Sequence, residues 1–284
     1  MSRKRKVPVT VKDAARKRSS IAHGATSAKP EASRAVIRRF HVLLKRKAQL
    51  ERAALSQDAA ELSAVQTELD GMGGLAAYQH MSNIGQGSDR GGGSEKVLID
   101  WLRKRDLHRG RDIDKFKLLE VGALRPDNYA SCSSWMDVEP IDLHARVPGV
   151  REQDFLLLDE GENDQAWDAI SLSLVLNFVP DANDRGRMLM MCRNFLKSNG
   201  LLFVALPLPC VTNSRYLTID HFKLFTSYIG LRCLEEQWKA GRKMAYFLLE
   251  RVEDPLRSSA ELSLFTKKRE LLKGANRNNF CILL

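Results

Sequence analysis

Three short apolar segments, separated by long connections, constrain the fold of this chain most strongly. They span residues 118–122, 169–173 and 202–207 and are rich in Leu, Val, Ala, Ile and Phe. Continuous apolar runs of this length are typical of strands buried on both faces of a parallel sheet. Parallel strands need long crossovers, and their ligands bind at the carboxyl ends of the strands. The sequence therefore predicts an α/β fold with a ligand site at that edge.

Other periodic segments extend this sheet. We predict strands at 116–122, 135–142, 168–173 and 201–206, with a poorly marked strand before Val150. We predict helices at 95–104 (capped by Ser94), at 185–196 (ended by Ser198-Asn199-Gly200), at 221–228 and at 262–273. Residues 231–238 and 244–251 flank Ala240-Gly241 and predict an antiparallel hairpin. A final hairpin is unusual after a dinucleotide-binding sheet but is expected of the Rossmann-like, class I S-adenosyl-L-methionine (SAM)-dependent methyltransferase sheet, whose last strand inserts antiparallel.

The chain divides into four predicted segments. Residues 1–30 form a disordered basic tail, in which Arg3-Lys4-Arg5-Lys6 and Arg16-Lys17-Arg18 are typical of a nuclear localisation signal. Residues 31–93 form a helical, basic extension, with helices at 31–55 and 58–70, followed by a glycine-rich loop. The loop is either a linker or a cover for a ligand. Residues 94–255 form the methyltransferase domain, and 256–284 form a basic C-terminal tail.

Charge is distributed unevenly along the 284 residues. Residues 1–52 contain 16 Lys and Arg against 3 Asp and Glu, and residues 256–284 contain 6 against 2. The remainder is mildly acidic, with 23 against 30. Basic ends on an acidic body favour an enzyme held near a polyanion such as nucleic acid, although such ends also serve solubility or nuclear import. No apolar run is long enough to span a membrane, so we expect no membrane association.

Cysteine and histidine spacing indicates no metal site. The five cysteines include no Cys-x-x-Cys pair, which favours a reducing compartment and no zinc. Pro209-Cys210 is a weak candidate for thiolate chemistry, because no Pro-Cys follows the strand at 168–173. Cys281-Ile282-Leu283-Leu284 fits a C-a-a-X prenylation box, which the nuclear-type N-terminus opposes.

Two residues at strand ends suit a nucleotide-like ligand. Gly122 ends one strand and permits close backbone approach, and Asp142 ends the next and offers a carboxylate to ribose hydroxyls. Gly122-Ala123-Leu124 lacks the further glycines that cradle a pyrophosphate, which disfavours NAD and suits SAM. The alternative is a turn glycine and a surface acid. Asp154-Phe155 strengthens the SAM interpretation, since a carboxylate there suits the adenine amino group and a backbone amide suits the ring nitrogen.

Several of these motifs together resemble one family. They are Gly122-Ala123-Leu124, Pro140-Ile141-Asp142-Leu143-His144, Gln153-Asp154-Phe155, Ser173-Leu174-Val175-Leu176-Asn177-Phe178-Val179-Pro180, Arg185-Gly186, and Leu206-Pro207-Leu208-Pro209-Cys210 with Asn213-Ser214-Arg215-Tyr216. The chain resembles the fungal 25S ribosomal RNA adenine-N(1) methyltransferases over about residues 75–255. The resemblance implies SAM contacts at Gly122 and Asp142, and further at Asp154, Phe155 and Ser173. It also implies ribosomal RNA as partner and a nuclear, nucleolar location.

Adenine N(1) carries a lone pair, so its methylation needs alignment and a water-poor pocket and no catalytic base. The catalytic residues therefore stay unassigned. Position alone makes Asn177, Asn213, Arg215 and Tyr216 candidates for holding the base or its phosphate. We expect a monomer. An alternative function follows from an animal relative: a SAM sensor of the TOR pathway without catalysis.

Overall fold

The computed structural model describes residues 39–40, 42–44, 46–47, 50–51, 59–73, 93–110, 113–253 and 259–284. The predicted basic tail with its localisation signal and most of the glycine-rich loop lie outside these residues. Among the described helices, none is long and apolar enough to cross a bilayer.

The described residues form one seven-stranded sheet. The strands are β1 (Phe116–Val121), β2 (Met136–Asp142), β3 (Arg151–Glu152), β4 (Trp167–Ser173), β5 (Leu196–Pro207), β6 (Leu231–Trp238) and β7 (Met244–Arg251). Their order is β3-β2-β1-β4-β5-β7-β6. The first five are parallel, and β7 inserts antiparallel between β5 and β6. The predicted class I methyltransferase sheet and its final hairpin are confirmed.

The structure gives bounds for seven α-helical segments. They are α1 (Ala59–Gly71), α2 (Ser94–Lys104), α3 (Glu160–Asn163), α4 (Ala182–Phe195), α5 (Pro209–Thr212), α6 (Ile219–Tyr228) and α7 (Ser259–Phe265). A 3-10 turn spans Ala130–Cys132 and another spans Phe155–Leu157. Every described residue between 39 and 51 is helical, in line with the predicted first helix.

Several predicted boundaries were wrong. Helix α4 begins before Arg185, because the Asp181 side chain accepts hydrogen bonds from the Asn183 and Asp184 amides. It ends at Phe195. The residues predicted to end it, Ser198-Asn199-Gly200, belong to β5 instead, where the pairing of β5 with β4 shifts register between Trp167 and Ala169. Helix α7 stops at Phe265 instead of reaching 273. The amides of Leu271 and Leu272 donate to the Arg215 carbonyl, which keeps that backbone out of a helix.

A further correction concerns Ser94. The N-cap of α2 is Gly93, at φ 111°, and no side chain caps the helix. Ser94 lies inside the first turn, and its hydroxyl is 2.6 Å from that of Ser173.

The two faces of the sheet carry separate apolar cores. Leu119 and Val121 face the side that α4 and α6 cover, and Phe116 and Leu118 face the side that α2 covers. This division follows the two-residue alternation of side chains along a strand. The C-terminal segment (residues 265–284) joins the first core, because Phe265, Phe280 and Ile282 are buried in that core.

The C-terminal segment is tightly packed against α4. A Cβ added at Gly186 would lie 1.8 Å from the Leu283 carbonyl oxygen, so only glycine admits this approach. The Leu283 amide donates to the Ala182 carbonyl, and Cys281 is 2% exposed. The C-a-a-X box is therefore part of the core, and this fold withholds the Cys281 thiol from prenylation.

The N-terminal helical pair forms a third, smaller cluster. Phe40, Leu43 and Leu50 pack against Val65 and Leu69 of α1. The bidentate ion pairs Arg39–Glu68 and Arg46–Glu61 join the two helices on the surface. Phe178, from the segment after β4, packs against this cluster and links it to the sheet.

Candidate functional site

A cavity of about 300 Å³ lies at the carboxyl ends of β1, β2 and β4. All five residues predicted to contact SAM line it: Gly122, Asp142, Asp154, Phe155 and Ser173. Its other walls are mainly apolar, with Leu143, Leu156, Leu174, Val175, Phe178 and Met188 among them. The structure thus brings the five residues to one place, whereas their contact with a ligand stays a prediction.

Gly122 occupies a position that no other residue fits without strain. Its φ is +75°, and an added Cβ would lie 2.8 Å from Val175 Cγ2. Its amide donates a 2.8 Å hydrogen bond to the Ile141 carbonyl, which fixes the turn after β1. Because Gly122 has no side chain, the backbone of this turn gives a ligand in the cavity a close approach that a Cβ would block.

Asp142 presents a partly engaged carboxylate at the end of β2. One oxygen accepts a 2.9 Å hydrogen bond from the His144 amide. The other makes no hydrogen bond within the described part of the chain. Burial raises the pKa of this carboxyl above its ordinary value, and the His144 amide partly offsets that shift. The arrangement leaves one oxygen for a pair of ligand hydroxyls.

Asp154 and Phe155 shape the cavity mainly through the backbone of the 3-10 turn that they begin. Asp154 Oδ1 accepts a 2.9 Å bond from the Leu156 amide and caps the 3-10 turn. The Phe155 ring is 3% exposed and packs on Phe195, with centroids 5.7 Å apart. The ring is therefore a core residue, and the part of Phe155 suited to a ligand is its amide.

Ser173 is joined to the start of α2 by its hydroxyl. Ser173 Oγ and Ser94 Oγ are 2.6 Å apart across 79 residues of sequence. The next residue, Leu174, has φ +60°, which is unusual for a residue with a side chain, and its amide donates to the Ala205 carbonyl. Such strain, of the order of 1–3 kcal/mol, is concentrated at functional sites. Leu174 lines the cavity, and no sequence signal marked its backbone.

The four candidates for holding the base lie outside the cavity lining. Asn213 donates to the Asn276 carbonyl, and Arg215 donates to carbonyls of Gly274, Ala275 and Arg277. These two side chains anchor the C-terminal segment, and their role with the base stays a prediction.

Asn177 and Tyr216 remain candidates for the base. Asn177 Oδ1 is buried and has no hydrogen-bond partner among the described residues. A buried acceptor without a partner costs free energy and therefore calls for a ligand or a water. Tyr216 is half-buried, with its amide bonded to Ser214 Oγ. Their role stays a prediction.

Arg185 is a further functional candidate. In the sequence it was named only as part of the Arg185-Gly186 motif. Its Nε donates to the Leu176 and Val179 carbonyls, at 3.1 and 2.8 Å. Its guanidinium lies 4.4 Å from the centroid of the Phe280 ring. Burial lowers the pKa of this guanidinium, which remains a cation. Arg185 therefore positions the segment after β4 that forms one wall of the cavity.

Glu120 is a buried charged residue beside the cavity turn that the sequence analysis did not single out, and it is not among the residues lining the cavity. It lies two residues before Gly122 and is only 7% exposed. Asn128 Nδ2 donates to Oε1 at 2.7 Å, and Oε2 is buried with no partner in the described structure. Burial raises the pKa of Glu120 to about 7. The signal available in the sequence was the position of this carboxyl side chain within an otherwise apolar strand.

Among the described residues, no group of three His, Cys, Asp or Glu side chains is arranged to hold a metal ion. Burial raises the pKa of the Cys210 thiol to about 12, so the structure opposes the thiolate hypothesis.

Comparison with known proteins identifies the family of this chain. The family described as "25S rRNA (adenine(2142)-N(1))-methyltransferase, Bmt2" matches residues 63–282. A 25S rRNA adenine-N(1) methyltransferase of Schizosaccharomyces pombe is 35% identical over 258 residues, covering 87% of this chain and 91% of that protein. A 25S rRNA (adenine(2142)-N(1))-methyltransferase of Saccharomyces cerevisiae is 34% identical over 256 residues, covering 87% of this chain and 71% of that protein.

A solved structure with a similar fold is the SeMet-substituted CurJ carbon methyltransferase. It has a TM-score of 0.48 and 16% identity, and the match covers 81% of this chain and 73% of that one. The family match spans most of the chain and includes every cavity residue named above. This chain belongs to the 25S rRNA (adenine(2142)-N(1))-methyltransferase family, Bmt2.

Proposed function

We propose that this protein transfers the methyl group of SAM to N(1) of an adenine in large-subunit, 25S ribosomal RNA. The observation that carries the proposal is the convergence of Gly122, Asp142, Asp154 and Ser173 on one cavity at the carboxyl ends of β1, β2 and β4. The family and both relatives carry this activity in their names. Nothing in the structure favours the sensor function.

The cavity residues fit SAM, which supplies an activated methyl group on a sulfonium. The Gly122 turn admits close approach of a ligand, and Asp142 keeps one oxygen for ribose hydroxyls. Asp154 and the Phe155 amide suit the adenine edge of the cofactor. Apolar side chains of Leu174, Val175 and Phe178 limit the entry of water.

The reaction needs no proton transfer from the protein. The N(1) lone pair forms the new N–C bond while the S–C bond breaks, and its electron pair stays on sulfur. The positive charge passes from sulfur to the methylated ring. The chain's own part is to align the base with the methyl group and to exclude water. The acidic residues and the histidine that line the cavity therefore need not act as an acid or a base.

The test uses the purified full chain, radiolabelled SAM, and 25S rRNA from a strain that lacks the enzyme. We expect label in one adenine, and a new reverse-transcription stop there, because a methyl group on N(1) blocks base pairing. SAM binding without label in the rRNA would refute the proposal and favour the sensor function.

We further propose a nuclear, nucleolar location, since the substrate is made there and residues 1–18 contain two basic clusters. A fluorescent fusion of the full chain should accumulate in the nucleolus. Replacing Arg3-Lys4-Arg5-Lys6 and Arg16-Lys17-Arg18 with glutamines should disperse it, whereas an unchanged distribution would refute this signal.

A further inference from the structure

The tip of the β6–β7 hairpin carries an exposed tryptophan among cations. All four tryptophans of the chain are described; Trp101, Trp135 and Trp167 are buried, and Trp238 is 44% exposed. Single exposed apolar residues are common on protein surfaces and need no explanation alone. The neighbours of Trp238 make it unusual, because Lys239, Arg242 and Lys243 follow within the same turn and are all exposed.

These cations differ from most others on the sheet in having no counter-charge. Glu235 and Glu236 of β6 are each bound elsewhere, to Arg105 at 3.0 Å and to Lys223 at 2.9 Å. Within the part of the chain that the structure describes, Lys239, Arg242 and Lys243 form no ion pair. An aromatic side chain beside unpaired cations is the combination that binds single-stranded nucleic acid, through base stacking and phosphate neutralisation.

The hairpin tip lies on the same edge of the sheet as the cavity. Ser173 pairs with Ala205, Ala205 with Tyr246, and Tyr246 with Gln237, so these residues form one row across β4, β5, β7 and β6. Neighbouring strands are about 4.8 Å apart, which places Gln237 about 14 Å from Ser173. Trp238 is the next residue, so a short length of RNA spans the interval.

A second basic segment is attached beside the tip. The Leu208 amide donates to the Lys243 carbonyl at 2.7 Å, and Asn278 Nδ2 donates to the adjacent Pro209 carbonyl at 2.7 Å. The hairpin tip and the C-terminal segment are thus held by neighbouring residues at the exit of β5. The exposed cations of the C-terminal segment are Lys267, Lys268, Arg269 and Lys273.

Trp238 and this segment also share one face of the sheet. Glu236 points toward α6, since it binds Lys223 of that helix, and Trp238 follows two residues later on the same face. Phe222 and Phe225 of α6 lie in one core with Phe265 and Phe280 of the C-terminal segment. We call Trp238, Lys239, Arg242 and Lys243, with the cations of residues 267–273, the basic rim.

We propose that the basic rim binds single-stranded ribosomal RNA next to the target adenine, with a flanking base stacked on Trp238 and phosphates on the cations. This inference rests on the proposed function for the identity of the RNA. In contrast to the cations of the hairpin tip, Arg39 and Arg46 of the N-terminal helical pair are paired with glutamates.

Binding is tested with the full chain and a fluorescein-labelled single-stranded RNA copied from the rRNA around the family's methylated adenine. Trp238→Ala should raise the Kd about tenfold, as expected for loss of one stacked base, and Trp238→Phe should stay within about threefold of wild type. RNA should also quench the fluorescence of Trp238, the exposed member of the four tryptophans, and Trp238→Phe should lose that quenching.

The cations are tested by a matched pair of double variants. Arg242→Gln with Lys243→Gln should raise the RNA Kd and reduce the slope of log Kd against log salt by about 1.4, for two phosphates. Lys115→Gln with Lys117→Gln removes the same charge at the amino-terminal end of β1, on the side of the sheet away from the cavity. This control should leave the RNA Kd and the salt slope nearly unchanged. The Kd for SAM should be the same in all variants, which shows that they fold.

The outcomes separate this inference from the proposed function. Equal loss of RNA affinity in both double variants, or wild-type affinity in the hairpin variants, would overturn the basic rim even if the protein methylates rRNA. Selective loss in the hairpin variants supports the rim, even if the wild-type protein methylates no adenine and the proposed function fails.

Discussion

The guanidinium of Arg185 donates a 2.6 Å hydrogen bond to the carbonyl of Cys281, 96 residues further along the chain. The same side chain binds the Leu176 and Val179 carbonyls, so one cation joins the segment after β4 to the C-terminal segment. Its hydrogen-bond acceptors within the described residues are all backbone carbonyls, and its guanidinium lies over the Phe280 ring. The carboxylates of Asp181 and Asp184 act on it only through space. The cavity wall therefore depends on residues that are far away in sequence.

Replacing Arg185 with glutamine should destabilise the protein and widen the cavity wall. We expect the free energy of unfolding to fall by about 3 kcal/mol, because several buried carbonyls lose a charged donor. The Kd for SAM should rise in the folded variant, since the segment carrying Val175 and Phe178 is released. Urea unfolding and calorimetry measure the two effects. Arg232→Gln removes an exposed cation and should change stability by less than about 0.5 kcal/mol; equal losses in the two variants would contradict this role.

Gly186→Ala should displace the C-terminal segment. The added Cβ would meet the Leu283 carbonyl oxygen at 1.8 Å, and backbone there yields only by moving. We expect a loss of about 2–3 kcal/mol and faster reaction of Cys281 with a thiol reagent, followed by mass spectrometry. Gly161→Ala in α3 is the control, since its Cβ would meet only the Asp159 carboxylate, at 3.3 Å. Unchanged Cys281 reactivity in Gly186→Ala would show that the packing is looser than described.

These long-range contacts mark where prediction from the sequence ended. Buried strands were recognisable because short apolar runs that end in glycine or proline are typical of strands buried on both faces of a sheet. Strand β3 has two exposed residues, Arg151 and Glu152, and therefore no such run. The start of β5 was missed because Ser198-Asn199-Gly200 are typical of turns, and a register shift with β4 places them in the strand.

The part of the site that could be predicted follows from one rule, that ligands bind at the carboxyl ends of parallel strands. That rule needs only the order of strands, so it placed Gly122 and Asp142 together, whereas the family resemblance added Ser173. The rule says nothing about a partner such as Ser94, 79 residues before Ser173, or about a charge buried by distant segments, such as Arg185. Asn213 and Arg215 belong to a specific motif, but the structure uses them to hold the C-terminal segment.

Gly122→Ala should weaken SAM binding beyond what backbone strain explains. The matched control is Gly110→Ala, because Gly110 has φ +68° but an added Cβ there meets nothing within 4 Å. Both variants should lose about 1–2 kcal/mol from the left-handed backbone. Only Gly122→Ala crowds Val175 at 2.8 Å and fills the cavity turn, so calorimetry should show a higher Kd for SAM in that variant alone. Equal Kd values would remove Gly122 from the site.

The Ser94–Ser173 contact should behave as one unit. We expect Ser94→Ala and Ser173→Ala each to lower the free energy of unfolding by about 1 kcal/mol, and the double variant to lose little more than either single variant. Urea unfolding of the four proteins gives the coupling. Ser173→Ala should also weaken SAM binding if its hydroxyl faces the ligand. Additive losses would mean that the 2.6 Å pair makes no joint contribution.

Glu120 should make stability depend on pH. Its pKa is raised from the ordinary 4.5 to about 7 because burial disfavours the carboxylate. Between these values the unfolded chain has released the proton and the folded protein still holds it, so stability falls as pH rises through this range. Glu120→Gln removes that fall. We expect the free energy of unfolding of the variant, relative to wild type, to rise by about 3 kcal/mol as the pH increases from about 5 to about 8.

The sign and the origin of this effect are tested with a second variant. Asn128 Nδ2 donates to Glu120 Oε1 and favours the carboxylate, so Asn128→Ala should raise the pKa of Glu120 further and extend the fall in stability to higher pH. Urea midpoints measured across the range should therefore diverge in opposite directions for Glu120→Gln and Asn128→Ala. Parallel curves for wild type and Glu120→Gln would show that Glu120 titrates at its ordinary pKa, and that water reaches the buried Oε2.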